Sequence, residues 1–399
     1  MTMERICDII FTIHVKLAPT VVRIPLEESM YWKVLTGQGE NALWAVRPDT
    51  GHRYRVQLFE YGMEASLEEV AKEPALYILM DEAYSGEVLL YAAEPEEVPQ
   101  GEERRSNPWL YTRGVYFKKQ DENARVIVCY DGEPVTRYYY SSDMPKPYMY
   151  PLYGPGRKSV IQNEPADHIH HHGIWWGHDE VNGHQVYHEF QGEGRQRHHS
   201  FLLLQGGPVV GQMTELVDWL SETGELLMQD TRTIRFYNLP PEMRYIDFCT
   251  VLHASRGPVQ FGPTKEGGFP FVRVNEQMCA DLSGTLTASG GRNGEQEIFG
   301  ETADWVDCSG VIGKDRTEAG LAMMIGRDSQ DYPNRWFVRD YGPMTASNFH
   351  FQGGYLLEAG GTYTFRQRIF VHAGDSKQAD IEGRCQEYAQ MGDQLWSIE

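Results

Sequence analysis

The segment Thr362-Tyr-Thr-Phe-Arg-Gln-Arg-Ile-Phe-Val371 decides the fold class, because its side chains alternate with a period of two. One face holds Tyr363, Phe365, Gln367, Ile369 and Val371, and the other holds Thr364, Arg366, Arg368 and Phe370. Successive side chains of a β-strand point to opposite faces, whereas a helix repeats every 3.6 residues. The segment is therefore predicted to be a strand.

A second strand signal lies near residue 130, where two β-prone runs flank a turn. The run 125–130 is followed by Asp131-Gly132 and then by the run 134–140. An Asp-Gly dipeptide between two such runs indicates a tight hairpin. Further β-prone runs occur at 200–204, 209–219, 226–237, 245–253, 269–274 and 321–325. Many strands joined by Gly-rich turns predict a mainly β protein, built as a large antiparallel β-sandwich.

The chain is predicted to divide into two domains. Its 399 residues suffice for one large domain or two smaller ones. Residues 94–106 are charged and lack an apolar period, which is typical of a linker. We therefore predict a small β-rich accessory domain with its linker over residues 1–105, and the β-sandwich domain over residues 106–399. The small domain is a candidate lid or subunit contact, and a homo-oligomer is an open alternative.

Three local predictions concern helices and their neighbours. Ser66-Leu-Glu-Glu69 is a capping-box pattern that predicts a short helix, which Pro74 stops. Residues 31–35 are apolar and are expected to form a strand. The C-terminal segment 376–391 has helical spacing behind Asp375 as a cap.

Charge and composition exclude several classes of function. The chain has 36 Lys+Arg against 57 Asp+Glu, and its formal charge of −21 opposes binding to nucleic acids or anionic membranes. No run approaches the roughly 18 apolar residues that span a bilayer, and the N-terminus lacks a secretory pattern. The scattered cysteines predict buried thiols: Cys7, Cys129, Cys249, Cys279, Cys308 and Cys385. We expect a cytoplasmic protein.

The densest chemistry lies in Asp167-His-Ile-His-His-His-Gly-Ile-Trp-Trp-Gly-His-Asp-Glu-Val-Asn-Gly183. In an extended backbone, His168 and His170 share one face while His171 points to the other. Imidazoles two residues apart on a strand suit a single transition-metal ion, and His178 can return to it. We predict these three, His168, His170 and His178, as ligands of a divalent ion (Zn, Mn, Co or Ca). A hydrogen-bonded array without metal is the alternative.

Other residues near this stretch have two interpretations. Trp175 and Trp176 are either core aromatics or a platform for a sugar ring, and alternation on a strand lets only one of them stack on a sugar. The remaining histidines are expected to face solvent: His184, His188, His198 and His199.

Two further segments carry charged groups in confined surroundings. In Gly262-Pro-Thr-Lys-Glu-Gly-Gly-Phe269, Glu266 is a candidate base or metal ligand and Lys265 a partner for an enolate-like oxygen. A surface ion pair on a tight turn is the alternative. Arg339 and Asp340 lie among aromatics, so they are either a structural ion pair or site residues.

Five segments in order carry a resemblance to a known family. They are Lys146-Pro-Tyr148 with Pro151-Leu152, Asp167-His168-x-His170-His171-x-Gly173-x-Trp175-x-Gly177-His178-x-x-Val181-Asn182-Gly183, Thr264-Lys265-Glu266-Gly267, Trp305-Val306-Asp307 and Arg339-Asp340-Tyr341-Gly342. Over residues 113–375 the chain resembles the bacterial family called "methane oxygenase PmoA" or DUF6807. We interpret the first name as a misannotation, since a subunit of that membrane enzyme would need apolar spans.

The resemblance implies a β-sandwich similar to the galactose-mutarotase-like supersandwich, in proteins associated with sugar oxidoreductases and isomerases. Two departures from the family pattern add imidazoles. The family's usual Arg after the paired histidines is His172 here, and its usual Asn-Pro-Phe-Gly is replaced by Ser347-Asn-Phe-His350.

Together these observations predict a carbohydrate-active enzyme that cleaves an oxidised (3-keto) glycoside, by metal-dependent elimination or hydrolysis. A carbonyl next to C2 acidifies the C2 proton, so a metal ion and one base suffice for elimination. The predicted catalytic residues are His171, Glu266, Lys265 and Asp340, with Glu266 or His171 as the base. The predicted substrate-binding residues are Tyr148, Trp175, Trp176, Arg339 and His350. Two alternatives stay open: a metal-free sugar epimerase or mutarotase-like enzyme, and a non-catalytic sugar-binding module. In each case the partner is a small-molecule carbohydrate or glycoside.

Overall fold

The strands of the described residues form three antiparallel sheets, which confirm the predicted mainly β fold class. The computed structural model describes residues 3–39, 42–93, 114–330 and 332–390. The predicted domain boundary at 105/106 lies outside the described residues, so the division into two domains stays a prediction.

The first sheet has six strands and is formed by the N-terminal part of the chain. Its strands are β1 (Met3–Val15), β2 (Thr20–Pro25), β3 (Ala42–Val46), β4 (Arg53–Ala65), β5 (Val70–Met80) and β6 (Tyr84–Ala93), in the order β1-β6-β3-β4-β5-β2. Helix α1 (Glu28–Gln38) buries Val34 in the core of this sheet.

Two local predictions in this region are wrong. Residues 31–35 belong to α1 and not to a strand. The Ser66 hydroxyl accepts from the backbone N–H of Glu69 at 3.1 Å, as in a capping box, but the chain then enters β5. Val70 pairs with Ala65 of β4, so pairing between strands overrides the local helix signal.

The second sheet has eleven strands. They are β7 (Val115–Gln120), β8 (Arg125–Tyr130), β9 (Glu133–Tyr139), β10 (Tyr148–Leu152), β11 (Ile174–Val181), β12 (His184–Val186), β17 (Val259–Phe261), β18 (Gly267–Arg273), β23 (Trp336–Val338), β24 (Pro343–Ala346) and β25 (Tyr355–Leu357). Eight of them follow the order β23-β24-β18-β11-β10-β9-β8-β7, while β12 and β17 pair with β11 and β25 pairs with β17.

The third sheet has nine strands in the order β13-β14-β15-β16-β26-β22-β21-β19-β20. They are β13 (Arg195–Gln205), β14 (Val210–Leu220), β15 (Leu226–Tyr237), β16 (Met243–His253), β19 (Thr285–Ala288), β20 (Arg292–Asn293), β21 (Trp305–Ile312), β22 (Thr317–Ile325) and β26 (Thr362–Ala373). Strand β26 confirms the period-two prediction, and Phe365, Ile369 and Val371 are buried in one core cluster.

The predicted hairpin and the C-terminal helix are both present. Asp131 and Gly132 have φ angles of 47° and 89° between β8 and β9, the left-handed pair that a tight hairpin turn requires. Two helices follow later, α2 (Gly294–Ile298) and α3 (Ile381–Gln390). Helix α3 starts later than predicted because the Asp375 carboxylate accepts from two backbone N–H groups of a separate turn.

The second and third sheets pack face to face around the main core. Trp176 and Phe269 from the second sheet and Ile234 and Phe248 from the third belong to this core. Five cysteines are free and buried, as predicted: Cys129, Cys249, Cys279, Cys308 and Cys385. Among the described residues, no helix has the length and apolar character to cross a bilayer.

The N-terminal sheet packs on the outer face of the third sheet. Phe59 and Tyr77 share a buried cluster with Tyr237 and Phe370. The Gln57 side-chain oxygen accepts from the backbone N–H groups of Val209 and Val210, where β14 begins. A separate aromatic cluster covers the opposite, outer face of the second sheet: Tyr148, Trp175, Tyr187 and Phe271. The N-terminal sheet therefore does not lie over the surface that carries the site described below.

Candidate active site

The histidine motif begins with two turns and not with a strand. The backbone N–H of His168 donates to the carbonyl of Pro165, and that of His171 donates to the carbonyl of His168, at 2.9 and 3.0 Å. Pro165 and Asp167 are turn-forming residue types, and β11 begins only at Ile174. The predicted alternation of imidazoles over this segment is therefore wrong, and neighbouring histidines reach the same space.

A cavity of about 210 Å³ lies above the outer face of the second sheet. It is lined by His168, His170, His171, Tyr187, His188, Lys265, Glu266, Phe337, Arg339 and Tyr341. Three segments that are far apart in sequence thus contribute. Six of the predicted site residues meet here: His168, His170, His171, Lys265, Glu266 and Arg339.

Asp167 fixes the proton position on the ring of His168. The Nδ1 atom of His168 is 2.8 Å from Asp167 Oδ2, and Arg273 also donates to this carboxylate at 2.9 Å. Although burial opposes it, hydrogen bonds from His168 and Arg273 lower the pKa of Asp167. An ionised carboxylate only accepts, so Nδ1 carries a proton and Nε2 of neutral His168 keeps a lone pair. His168 is suited to accept a proton.

Arg273 imposes the opposite tautomer on His171. Its guanidinium Nη1 lies 3.2 Å from His171 Nδ1, and a guanidinium can only donate. Burial first, and then electrostatic repulsion from His170, when it is protonated, and from Arg273, lower the pKa of His171 far below its ordinary value. His171 is therefore neutral with its proton on Nε2. It is a hydrogen-bond donor and not the base that the sequence predicts.

A continuous stack of rings holds these two imidazoles in place. His168 lies between Tyr341 and His171, with ring centroids 5.2 and 4.6 Å apart. His171 in turn stacks on Trp175 at 4.8 Å, and Trp175 stacks on Phe271 at 5.1 Å. The stack extends from the cavity into the aromatic cluster on the sheet, so the rings have little freedom to turn.

The opposite part of the cavity wall carries further titratable groups. Burial lowers the pKa of His170 to about 4, so this imidazole is neutral near pH 7. The ring of His188 lies 5.0 Å from that of His170, which makes the prediction of a solvent-facing His188 wrong. His188 Nδ1 lies 3.5 Å from Asp179, whose pKa is raised by burial and by the Glu266 carboxylate, against the opposing effect of His188.

Lys265 and Glu266 sit on the loop between β17 and β18. The Glu266 carboxylate accepts from the Thr264 hydroxyl at 2.8 Å, and Lys265 Nζ is 3.7 Å from its other oxygen. The backbone carbonyl of Glu266 also accepts from Asp179 at 2.9 Å, which ties the loop to β11. The loop thus presents one carboxylate and one ammonium group to the cavity.

Arg339 reaches the cavity, whereas Asp340 does not line it. The Arg339 guanidinium lies over the rings of Phe299 and Phe337 and donates to Glu295 at 2.9 Å. The Asp340 carboxylate accepts from the backbone N–H of Glu295 at the start of α2. Both predicted roles for Asp340, as a catalytic residue and as the partner of Arg339, are therefore corrected.

His178 is separated from the other predicted metal ligands. It is fully buried, its Nε2 lies 3.0 Å from the carbonyl of Gly262, and Phe261, Phe269 and Phe349 surround it. Burial lowers its pKa to about 4. On β11 this side chain points toward the core, because it is two residues after Trp176, which also faces the core.

The predicted ligand set for a divalent ion is therefore not assembled. Within the described ranges, no group of three or more His, Cys, Asp or Glu side chains is placed to hold a metal ion. His168 and His170 remain as two imidazoles, whereas catalytic zinc sites use three protein ligands. The residues of the cavity therefore do not fit the predicted ion.

The predicted sugar-binding aromatics are not accessible. Trp175 and Trp176 are fully buried and face opposite sides of the sheet, as strand alternation predicts. Tyr148 stacks between Tyr139 and His172, outside the cavity wall. His350 is also absent from that wall and lies 3.3 Å from the carbonyl of Pro263.

Sequence reasoning missed several residues of the site. Arg273 ends β18 and carried no recognisable signal, although it orients both Asp167 and His171. Lys146 is buried and donates to the carbonyl of Tyr187, bridging it to Glu189. Two sequence features pointed toward missed cavity residues: the aromatic neighbours of Arg339, and the position of His188 shortly after the histidine motif. Neither feature identifies a cavity by itself.

Two larger cavities of the described part, of about 520 and 510 Å³, contain none of the predicted site residues. In the first, the charged groups pair with one another: Arg23 with Glu73 at 3.3 Å, and Arg366 with Asp328 at 2.9 Å. The 210 Å³ cavity is different, since two neighbouring rings supply it with a lone pair on Nε2 of His168 and a hydrogen-bond donor on Nε2 of His171. It is therefore the better candidate for chemistry.

Comparisons with known proteins bear on this part of the chain. A family model described as "Family of unknown function (DUF6807)" matches residues 125–386, a range that includes the whole cavity wall. The description states no activity, so it gives no support to the methane oxygenase name. No curated protein matches the chain.

Two solved structures show distant likeness to the chain. An alpha-galactosidase from Lactobacillus brevis is 8% identical over 66% of this chain, with a TM-score of 0.33, and the match spans 40% of that protein. A GalM/aldose epimerase homologue from C. elegans is 6% identical over 66% of this chain and 100% of its own length, with a TM-score of 0.28. Likeness this distant carries no argument about function.

Proposed function

This chain belongs to the DUF6807 family, and from that premise we propose that it is an enzyme that cleaves an oxidised (3-keto) glycoside by β-elimination. The observation that carries the proposal is a pair of stacked imidazoles, 4.6 Å apart, whose Nδ1 atoms meet partners of opposite kind: the Asp167 carboxylate at His168 and the Arg273 guanidinium at His171. His168 supplies a lone pair and His171 supplies an N–H in the same cavity. Proton abstraction next to a carbonyl needs this combination of base and donor.

The reaction balances without a co-reactant. The ketone at C3 acidifies the proton on C2, and Nε2 of His168 takes that proton. The C2 electron pair forms a double bond to C1, the bond from C1 to the aglycone oxygen breaks, and the oxygen leaves with its electron pair. Protonation of this oxygen gives the free alcohol or phenol, and the sugar leaves as an enone.

Charge that develops on the C3 oxygen is stabilised by groups of the same wall. Nε2–H of neutral His171 donates to this oxygen, because burial and Arg273 disfavour the imidazolium form and keep the ring a neutral donor. Lys265 and Arg339 add positive charge, and Glu266 accepts hydrogen bonds from sugar hydroxyls. The sugar as substrate class rests on the sequence motifs shared with the family.

Metal dependence stays a prediction that this scheme does not use. The scheme needs only side chains of the chain itself, and His168 cannot offer Nε2 to an ion and to a proton at once. A chelator therefore distinguishes the two versions of the reaction.

The experiment incubates purified protein with methyl 3-keto-β-glucoside and with unoxidised methyl β-glucoside, each with and without EDTA. We expect methanol and a strongly absorbing enone from the ketone alone, at the same rate with EDTA. No product from the ketone would refute the elimination. Loss of activity with EDTA would refute the metal-free scheme, and an isomerised sugar without methanol would indicate the epimerase alternative.

A further inference from the structure

The cavity is too small to hold a whole glycoside. Its volume is about 210 Å³. Sites for drug-sized ligands measure about 300–1,000 Å³. One sugar ring fills the space, so whatever is attached to C1 must lie outside, on the rim.

Two exposed apolar residues adjoin the residues of the cavity wall. Ile169 has 66% of its surface exposed and stands between the cavity-lining His168 and His170. Phe190 is 64% exposed, and its ring stacks on His188 with centroids 5.6 Å apart and planes at 5°. The rings of His188 and His170 are 5.0 Å apart, so the two apolar residues extend from adjoining parts of the wall.

We propose that Ile169 and Phe190 form a binding platform for an apolar or aromatic leaving group. The inference rests on the proposed function and narrows its substrate class to glycosides with such an aglycone. One face of the Phe190 ring stacks on His188, and the exposed remainder of the side chain offers an aromatic surface on which a flat ring can stack. Ile169 adds exposed aliphatic surface at the residue that follows His168, the proposed base.

A small molecule fits this platform better than a protein partner. Stable protein interfaces bury about 800 Å² on each side, with a cluster of anchors surrounded by a polar rim. Two side chains supply a fraction of that area. Burial of even one such side chain is a substantial gain for a small ligand.

The test measures binding and not turnover, because phenolate is a better leaving group than methoxide and would mask the effect on rate. Calorimetric titration compares phenyl β-glucoside with methyl β-glucoside, neither of which carries the ketone needed for elimination. We expect the wild-type protein to bind the phenyl compound about ten-fold more tightly. Ile169→Ser and Phe190→Ser should each reduce this preference, and the double variant should abolish it while keeping the affinity for the methyl compound.

Leu356→Ser is the matched control, since Leu356 is also exposed but does not line the cavity or its rim. It should keep the full preference. Equal affinities in the wild type, no binding of either compound, or a preference that survives the double substitution would each overturn the proposal. If the preference follows the two residues while the 3-keto substrate yields no product, the elimination fails and the platform stands.

Discussion

The two halves of the histidine motif use the same side chain in opposite ways. Before Gly173, His168 and His171 lie in turns at the cavity, and Asp167 and Arg273 hold one nitrogen of each ring. After it, His178 lies in a strand with its Nε2 on the carbonyl of Gly262. The backbone conformation explains this difference between the two halves. In a turn, neighbouring side chains can point outward together, whereas in a strand every second side chain faces the core.

His172 marks the transition between the halves. It is buried, with Nδ1 at 3.1 Å from Asn163 and Nε2 at 3.0 Å from Glu189. Both ring nitrogens of His172 are therefore hydrogen-bonded to Asn163 and Glu189, so neither is available in the cavity. A dense histidine motif is thus not evidence that all its imidazoles form one site.

The largest effect should come from substitution of the proposed base. His168→Gln should lower kcat/KM on methyl 3-keto-β-glucoside by about 10²–10⁴-fold, because glutamine has no basic nitrogen. His172→Gln should lower it by less than about ten-fold, since His172 does not line the cavity. Thermal unfolding of both variants controls for misfolding. Similar losses in activity for His168→Gln and His172→Gln would show that the two parts of the histidine motif do not differ in function.

A pH series tests the buried half. The pKa of His178 is lowered from 6.5 to about 4 by burial, so between these values the unfolded chain binds a proton that the folded protein excludes. This stabilising contribution is complete above pH 6.5 and is lost as the pH falls toward 4. At 1.36 kcal/mol per pKa unit, the loss is roughly 3 kcal/mol.

His178→Phe isolates this contribution, because phenylalanine fits the aromatic surroundings and does not titrate. In urea unfolding at each pH, the free energy of the wild type relative to the variant should fall by that amount between pH 6.5 and 4. A difference that does not change with pH would show that His178 is not held neutral by burial.

Arg273 tests whether orientation of the rings matters for activity. Arg273→Met removes the donor to His171 and a partner of Asp167, so kcat/KM should fall by about 10–100-fold. Arg244→Met is the matched control, because Arg244 is equally buried but donates to the carbonyl of Tyr153, away from the cavity. Unchanged kinetics for Arg273→Met would mean that the tautomers do not need this guanidinium.

The smallest effect is expected at Asp340. Asparagine can still accept from the backbone N–H of Glu295, so Asp340→Asn should cost less than about 1 kcal/mol of stability. The kinetic constants on methyl 3-keto-β-glucoside should stay at the wild-type values. More than a ten-fold loss in kcat would restore Asp340 to the catalytic groups.

The fold was largely predictable because its signals are local. Period-two alternation identified β26, and Asp131-Gly132 identified the turn between β8 and β9. The helix expected after Ser66 failed because pairing with β4 outweighs a capping pattern. Local propensity decides such segments only where no neighbouring strand competes.

The sequence identified the segments that contribute to the site, but not how their side chains are arranged around the cavity. The segments around His168, Glu266 and Arg339 were each recognised from their chemistry, and the structure places them around one cavity. Arg273 was not recognised, because it acts on Asp167 across 106 positions of the chain and sits at the end of an ordinary apolar strand. Ring tautomers depend on such contacts and leave no pattern in the sequence.

The central claim is that neighbouring imidazoles carry their protons on opposite nitrogens. Long-range ¹H–¹⁵N correlation spectra of histidine-labelled protein near pH 7, assigned with His168→Gln and His171→Gln, measure this directly. We predict the Nδ1–H tautomer for His168 and the Nε2–H tautomer for His171. The same tautomer on both rings, or a doubly protonated His171, would contradict the account.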